Sequence, residues 1–242
     1  VVTEASASAA HFINGSLKVN DAGGADQFLT RTASSGNRKT YTWAGWVKRQ
    51  QLVDKQTFMF AESDDSNQTS FGFNHSGATP ASGFYFRTEI SGSVTNATID
   101  AALRDTSDFY HIVVAVDTRR KFSADTRVTV YINGKLQTWS ISPGMGQDNQ
   151  TFINHNVQQQ LFAQDGVGDL DAYVSELYFV DGLSLGAGYF GFNDPLTNTW
   201  RPKKFRAEGT TVNDGTVWSN GIPGNAHSSY PATNGSDGRT DT

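Results

Sequence analysis

The stretch RDTSDFYHIVVAVDTRR, residues 104–120, decides the fold. Its centre is the most strand-like run in the chain, because β-branched and small apolar residues follow one another without interruption. Successive side chains of a strand point to opposite faces. The two faces are Tyr110, Ile112, Val114 and Val116 on one side, and His111, Val113, Ala115 and Asp117 on the other. The first face predicts a strand of the hydrophobic core.

His111 is the one candidate general base in this strand. A base needs a nucleophile or a carboxylate partner within hydrogen-bond reach, and the sequence identifies none for His111. Its neighbours on the same face are Val113 and Ala115. We therefore expect His111 to be a packed, hydrogen-bonded residue of the sheet.

Composition favours an all-β protein. The 242 residues include 24 Gly, 16 Phe, 8 Tyr and 5 Trp, with only 18% charged residues, which is typical of short strands and tight turns. The net charge of −5 and the absence of a basic stripe argue against a nucleic-acid partner. No apolar run is long enough to cross a membrane, and the chain has no cysteine for disulfides or thiolate metal sites.

Further strands are predicted by alternating apolar residues between turn-forming segments. Residues 12–19 and 26–31 read as a first pair, and the others are 39–49, 57–63, 69–74, 83–90, 109–118, 126–139 and 170–182. Asn133-Gly134 predicts a type I′ hairpin turn. Ten or more short strands without helices indicate two packed sheets, and we predict a jelly-roll sandwich.

The domain boundaries follow from composition. We predict a short N-terminal extension at residues 1–10, one sandwich over residues 11–206, and a polar C-terminal extension at residues 207–242. That last segment is rich in Gly, Asn, Ser and Thr and has too few aliphatic residues to form a core of its own.

Five patches, in this order along roughly residues 10–205, carry a family resemblance: TWAGWVKR (42–49), RDTSDFYHIVVAVDT (104–118), RVTVYINGKL (127–136), LDAYVSELYFVDGLSL (170–185) and WRPKKF (200–205). Together they resemble the laminin-G-like, concanavalin A-like (lectin/glucanase-type) domains of phage virion and tail-fibre proteins. The resemblance implies a two-sheet sandwich with His111 on a core strand. It also implies that Glu176 is a structural acceptor for nearby donors. Function is less determined, because this architecture serves lectins, adhesion modules, glycosidases and structural domains.

Glycoside hydrolysis requires two carboxylates that flank the scissile bond. The nearest pattern here is Asp169, Asp171 and Glu176, and the odd step from 171 to 176 points Glu176 away from the others unless a bulge intervenes. Nucleotide-binding, zinc and serine-hydrolase motifs are absent from the sequence. We therefore expect a protein that is not an enzyme.

Calcium is the one cofactor that the loops suggest. Residues 62–68 and 165–171 are rich in oxygen ligands, and Ca²⁺ prefers six to eight oxygens. Asp and Asn are also the commonest turn formers, so turn chemistry is the simpler interpretation. The candidate ligands are Asp64, Asp65, Asn67, Asp165, Asp169 and Asp171.

Sugar recognition combines an aromatic face with planar amides and other polar groups. The segment 137–160 has these ingredients, and the candidate residues are Trp139, Asn154, His155, Asn156 and Gln158. The alternative is a polar loop over the sheet edge, with Trp139 covering the core. A side chain that points into solvent favours the first interpretation, and one that points into protein favours the second.

Two functions remain. The first, which we favour because the sequence has long polar termini and no dense aromatic platform for sugars, is a virion structural protein, either capsid decoration or a tail or fibre module, whose partners are other virion proteins. The second is a glycan-binding domain of a tail fibre that recognises a cell-surface glycan of the host. Both imply a location on the virion surface or outside the cell, and symmetric assembly predicts a homo-oligomer.

Overall fold

The computed structural model describes residues 11–20, 27–32, 34–52, 55–74, 83–121, 123–164 and 168–205. Within these ranges the chain forms two antiparallel sheets and a short two-stranded ribbon. No helix in the described part of the chain is long and apolar enough to cross a membrane. The predicted extensions, 1–10 and 207–242, lie outside the described residues.

Within the described ranges, one sheet has six strands and the other has seven. The first contains, in spatial order, β1 (Leu17–Val19), β13 (Ala172–Asp181), β3 (Thr40–Arg49), β8 (Tyr110–Asp117), β9 (Val128–Ile132) and β10 (Lys135–Leu136). The second contains β11 (Trp139–Ile141), β7 (Ser93–Ile99), β6 (Phe84–Ile90), β5 (Asn67–Phe73), β4 (Gln56–Asp64), β12 (Gln158–Leu161) and β2 (Leu29–Thr32). The predicted two-sheet sandwich is confirmed.

The main core lies between the sheets. Ile112, Val114 and Val116 of β8 are buried there, as the alternation along residues 110–117 predicts. Aromatic rings from both sheets meet across the interface: Trp43 stacks on Phe58 at 5.3 Å between ring centroids. Such contacts add to the free energy gained from burying apolar surface.

The outward face of the six-stranded sheet is also covered. Residues 183–205 fold over it as a short 3₁₀ turn (Ala187–Tyr189) and a ribbon of β14 (Gly191–Asn193) and β15 (Trp200–Pro202). Val113 of β8 joins a second apolar cluster there, with Phe190 buried and Phe205 stacked on Phe190 at 5.0 Å between ring centroids. β8 is therefore buried on both faces, which explains its nearly continuous apolar sequence.

Trp200 connects this covering layer to the sheet. Its indole N–H donates a hydrogen bond to Nδ1 of His111 at 3.0 Å. A Cβ atom at Gly134 or at Gly191 would lie 2.4 or 2.5 Å from the indole ring, so both positions must be glycine. Gly134 also has φ +79° in the predicted Asn133-Gly134 turn, which joins β9 to β10 as expected.

Four parts of the strand assignment differ from expectation. β1 and β2, expected as a first pair, lie in different sheets, because β1 pairs with β13 and β2 pairs with β12. β12 lies where we expected mostly polar loop. Its middle residue Gln159 is accommodated because its amide donates to the carbonyls of Phe152 and His155. β7 and the β14–β15 ribbon were also not predicted.

Replacing Trp200 with alanine should lower the free energy of unfolding by about 2–4 kcal/mol, slightly less than for a fully buried tryptophan. The variant loses ring contacts and leaves His111 without its indole donor. Urea unfolding measures the change. Leu196→Ala is the control, because Leu196 is 93% exposed and its truncation should change the free energy by less than about 0.5 kcal/mol. Equal effects of the two changes would contradict this role for Trp200.

Candidate functional site

A β-bulge interrupts β13 at Glu176 and Leu177. Between Ser175 and Tyr178 this strand advances by three residues while its partner β3 advances by two. Both bulge residues therefore lie opposite Gly45, where a Cβ atom would approach a methyl group of Leu177 to 2.3 Å. Glu176 itself has φ +48°, a left-handed conformation that is costly for a residue with a side chain.

The bulge corrects the expected direction of Glu176. Leu177 packs in the core between the sheets, whereas Glu176 contacts Tyr178 on the outward side. Asp171 directly precedes β13 and is five residues from Glu176, so their Cα atoms are roughly 13–16 Å apart at the rise of a β-strand. The Asp171 carboxylate forms an ion pair with Lys18. Asp171 and Glu176 are therefore engaged in separate interactions, with Lys18 and His11, at a backbone separation larger than the catalytic range of about 5–9.5 Å.

Both carboxylate oxygens of Glu176 have side-chain partners. His11 places Nε2 at 3.0 Å from Oε1, and the Tyr178 hydroxyl donates to Oε2. Glu176 is thus an acceptor for side-chain donors, as the family resemblance implied. Burial, together with the hydrogen bond to Glu176, raises the pKa of Tyr178 above its usual value, so the phenol remains a donor.

An open groove lies beside this bulge, and we call it the N-terminal groove. It has a volume of about 350 Å³ and is lined by His11, Phe12, residues 14–17 and residues 174–177. The backbone N–H of His11 donates to the Pro202 carbonyl at 3.2 Å, and Ser175 Oγ donates to the Gly15 carbonyl at 2.7 Å. These contacts connect the segment preceding β1 to β15 of the covering ribbon and to β13 of the six-stranded sheet.

The groove combines apolar and polar surfaces. Val174 and Leu177 are buried, and Phe12 is 80% exposed. Asn14 and Ser16 are exposed, and the Glu176 carboxylate is mostly buried. An exposed ring with nearby amide, hydroxyl and carboxylate groups is the combination that sugar recognition requires.

Sequence analysis missed the N-terminal side of this groove, because it assigned residues 12–19 to a single strand. The strand begins only at Leu17. The pair Asn14-Gly15 is a turn-forming dipeptide and was the available signal for the break.

Trp139, predicted as an aromatic platform, points into the protein. Its indole N–H donates to the Val128 carbonyl at 3.1 Å, and its ring packs against the main core. Trp139 lies on β11, whereas the other predicted sugar-binding residues lie on or just before β12. The order of the seven-stranded sheet separates those strands by about 24 Å. The structure therefore does not bring the predicted set together.

The remaining predicted sugar-binding residues have mixed environments. Asn154 Nδ2 donates to Asp181 Oδ1 at 2.7 Å, which commits that amide to the protein. Burial, with a contribution from nearby Arg38, lowers the pKa of His155. Asn156 and Gln158 are exposed. A sugar-binding role for these four residues stays a prediction.

The predicted calcium ligands fall in separate places. Asp64, Asp65 and Asn67 form the turn between β4 and β5, where Asp64 accepts hydrogen bonds from Asn67 and from the Ser66 backbone. Those bonds, led by that from Asn67, lower the pKa of Asp64.

At the second predicted calcium loop, Asp169 is buried and Asp171 pairs with Lys18. Asp165 lies outside the described residues. Among the residues that the structure describes, no group of three or more acidic or histidine side chains could hold a metal ion.

His111 is fully buried, and its Nδ1 atom is occupied by a hydrogen bond. Its ring lies 4.9 Å from that of Trp46 and 5.8 Å from that of Trp200, measured between centroids. Nδ1 accepts the Trp200 N–H, and burial lowers the pKa of His111 to about 3. The ring is therefore neutral near pH 7 with its proton on Nε2. The expectation of a packed, hydrogen-bonded histidine is confirmed.

The family comparison agrees with this fold. The family model Laminin_G_3, described as the concanavalin A-like lectin/glucanases superfamily, matches residues 22–180. No curated protein is significantly similar to the chain.

Solved structures with a similar fold share little sequence with the chain. The LG4-5 domains of the mouse laminin alpha1 chain superpose with a TM-score of 0.47 at 10% identity, over 74% of this chain and 45% of theirs. A heptameric pentraxin from Limulus polyphemus superposes with a TM-score of 0.43 at 14% identity, over 68% of this chain and 73% of the pentraxin chain. Tailspike protein 2 of an Escherichia coli O157:H7 bacteriophage superposes with a TM-score of 0.44 at 12% identity, over 72% of this chain and 23% of the tailspike chain.

Acid should destabilise the protein through His111. The folded-state pKa lies below the ordinary value of 6.5, so the unfolded chain takes up the proton first as the pH falls. As the pH falls from about 6 to 4, the free energy of unfolding should decrease more steeply in the wild type than in His111→Gln, a variant that keeps a side-chain acceptor. The difference between the two slopes should be up to about 1.4 kcal/mol per pH unit. Urea unfolding at several pH values measures this difference.

The control for that experiment is His155→Gln, because His155 is only partly buried. This variant should keep most of the wild-type slope. Identical slopes for the wild type and His111→Gln would contradict a buried, neutral His111.

Proposed function

The chain belongs to the Laminin_G_3 family of the concanavalin A-like lectin/glucanases superfamily, and we propose that it is a non-catalytic module that binds a glycan in the N-terminal groove. The observation that carries this proposal is the groove itself. It brings an exposed aromatic ring, an amide, a hydroxyl and a carboxylate to one concave surface of about 350 Å³. That volume is within the usual range for small-ligand sites, about 300–1,000 Å³.

Each type of group has a part in this binding. The exposed ring of Phe12 packs against the apolar C–H face of a sugar ring. Asn14 and Ser16 exchange hydrogen bonds with hydroxyl groups, and the Glu176 carboxylate accepts them. The hydrogen bonds from His11 and Tyr178 hold that carboxylate in one orientation, which lowers the entropy that binding must overcome.

The absence of catalysis is part of the proposal. Hydrolysis of a glycosidic bond requires a second carboxylate across the bond, and Glu176 is the one carboxylate among the groove residues.

The proposed setting is a virion surface, where the module contacts other capsid or tail proteins and a host glycan. It rests on the five sequence patches that resemble phage virion domains. We propose assembly into a homo-oligomer through sheet edges. Leu136 on β10 and Ile141 on β11 are exposed apolar residues at edge strands, the kind of surface that pairs with another chain.

A glycan array on the purified chain, followed by titration calorimetry, tests glycan binding. Phe12→Ala should weaken binding at least about tenfold, because the stacking surface is lost, and Glu176→Gln should weaken it similarly, because a charged acceptor becomes a weaker one. Tyr189→Ala is the matched control, since Tyr189 is an exposed aromatic residue outside the groove. Its affinity should equal that of the wild type.

Three results would count against this proposal: no binding to any saccharide, equal loss in Tyr189→Ala, or shortening of a polysaccharide during incubation with the protein. Addition of EDTA tests the calcium prediction in the same assay. We propose that affinity is unchanged, since Asp64 and Asp171 are engaged by protein groups. Loss of binding in EDTA would instead assign a calcium ion to the site.

A further inference from the structure

The outward face of the seven-stranded sheet carries a connected set of polar side chains, which we call the polar face. Its members are Lys55, Gln68, Tyr85, Arg87, Glu89 and Gln164. Lys55 Nζ donates to Gln164, and Gln164 Nε2 lies 3.3 Å from Gln68 Oε1. Gln68 in turn donates to Glu89 at 3.3 Å. These residues project away from the core, because Phe71, Phe84 and Phe86 occupy the opposite side of the same strands.

Charge is separated along this face. Glu62, Gln68 and Glu89 occupy one row across β4, β5 and β6, because Gln68 pairs directly with both glutamates. On β6, Arg87 lies two residues before Glu89, and Tyr85 lies two residues before Arg87. The Lys55 ammonium contacts the ring of Tyr85. The acidic groups therefore lie toward one end of the face and the cations toward the other, and Arg87 and Glu89 form an ion pair where the two meet.

The two cations are close enough to repel each other. Burial and the neighbouring Arg87 charge lower the pKa of Lys55 to about 8. The hydrogen-bond partner of its ammonium is the neutral amide of Gln164. Like charges on a half-buried surface are unfavourable unless an anion lies near both.

Arg87 has a donor to spare. Its Nη2 donates to Glu89 Oε2 at 2.7 Å, whereas its Nη1 is buried and has no hydrogen-bond partner within the described residues. The side chain as a whole is 17% exposed, so a ligand at Nη1 requires the guanidinium to shift toward the surface. A buried guanidinium nitrogen without an acceptor is unfavourable, and an oxyanion supplies the missing acceptor.

The positions of both cations are fixed by the fold. The stem of Lys55 packs against Gly168, where a Cβ atom would lie 3.1 Å from the Lys55 Cγ atom, and Gly168 has φ +74°. Its ammonium lies 5.8 Å from the centroid of the Tyr85 ring. Glu89 orients Arg87. A ligand therefore meets groups that are already ordered.

We propose that Lys55 and Arg87 form a binding site for an oxyanion, meaning a carboxylate, sulfate or phosphate group of a ligand. The site lies on the opposite sheet from the N-terminal groove and does not depend on it. Arg87 Nη1 and the Lys55 ammonium donate to the anion. Gln68 and Gln164 supply amide groups beside it for the uncharged part of the ligand.

Titration calorimetry with sodium sulfate, sodium phosphate and sodium glucuronate tests this site, with chloride added to hold the ionic strength constant and glucose as the uncharged probe. At least one anion should bind saturably and glucose should not. Lys55→Gln and Arg87→Gln should each weaken that binding at least fivefold. Arg119→Gln is the matched control, because Arg119 is also paired with a carboxylate, on Asp117, but lies elsewhere.

The anion that binds most tightly indicates the chemical class of the ligand. Tighter binding of glucuronate indicates an acidic sugar, and tighter binding of sulfate or phosphate indicates a sulfate or phosphate ester. Affinity should fall as the pH rises from 7 to 9.5 in the wild type, because Lys55 loses its proton, and should stay flat in Lys55→Gln. If Arg87→Gln fails to fold, Lys55→Gln carries the test.

The proposal is overturned if no anion binds saturably. It is also overturned if Arg119→Gln weakens binding as much as Lys55→Gln does, or if the affinity of the wild type does not change with pH. Phe12→Ala should leave anion binding unchanged, so failure of this site and failure of the glycan groove are separate results.

Discussion

The β-bulge at Glu176 and Leu177 is the constraint on which the groove depends. Two residues share the place opposite Gly45, so Leu177 can pack in the core while Glu176 turns outward in a left-handed conformation. Pairing with β1 stops two residues before Glu176, at the register of Val174 with Leu17. The preceding segment then crosses the bulge as irregular chain and leaves a cavity. The strained backbone conformation of Glu176 thus places an oriented carboxylate at a concave surface.

The two outward faces of the sandwich differ in how they are used. The six-stranded sheet is covered by residues 183–205, and His111 serves this layer as an acceptor for Trp200. The seven-stranded sheet instead carries a polar network on its outward side, with a cationic and an acidic end. A structural histidine and a set of ordered polar side chains thus lie on opposite sides of one sandwich. Within the described residues, the second arrangement retains a buried donor without a hydrogen-bond partner, Arg87 Nη1.

Alternation of apolar residues predicted most of the strands, the hairpin at Asn133-Gly134 and the packed role of His111, because these follow from local periodicity and turn chemistry. The groove was not predictable in the same way. It depends on the bulge, which shifts the side-chain parity of β13, and on the separation of residues 11–16 from the sheet. Trp139 was misleading because composition does not reveal that its ring covers the core. Prediction of the polar face requires knowledge of the cross-strand register, because that register places Gln68 beside Glu89.

The central claim is that the N-terminal groove is the surface that meets a glycan. Its most direct test is an amide chemical-shift map of the ¹⁵N-labelled chain, titrated with the saccharide that binds best on the array. The account predicts that the largest shifts occur at residues 11–17 and 174–177. Shifts concentrated instead at residues 154–158 and near Trp139, or the absence of any specific shift, would contradict it.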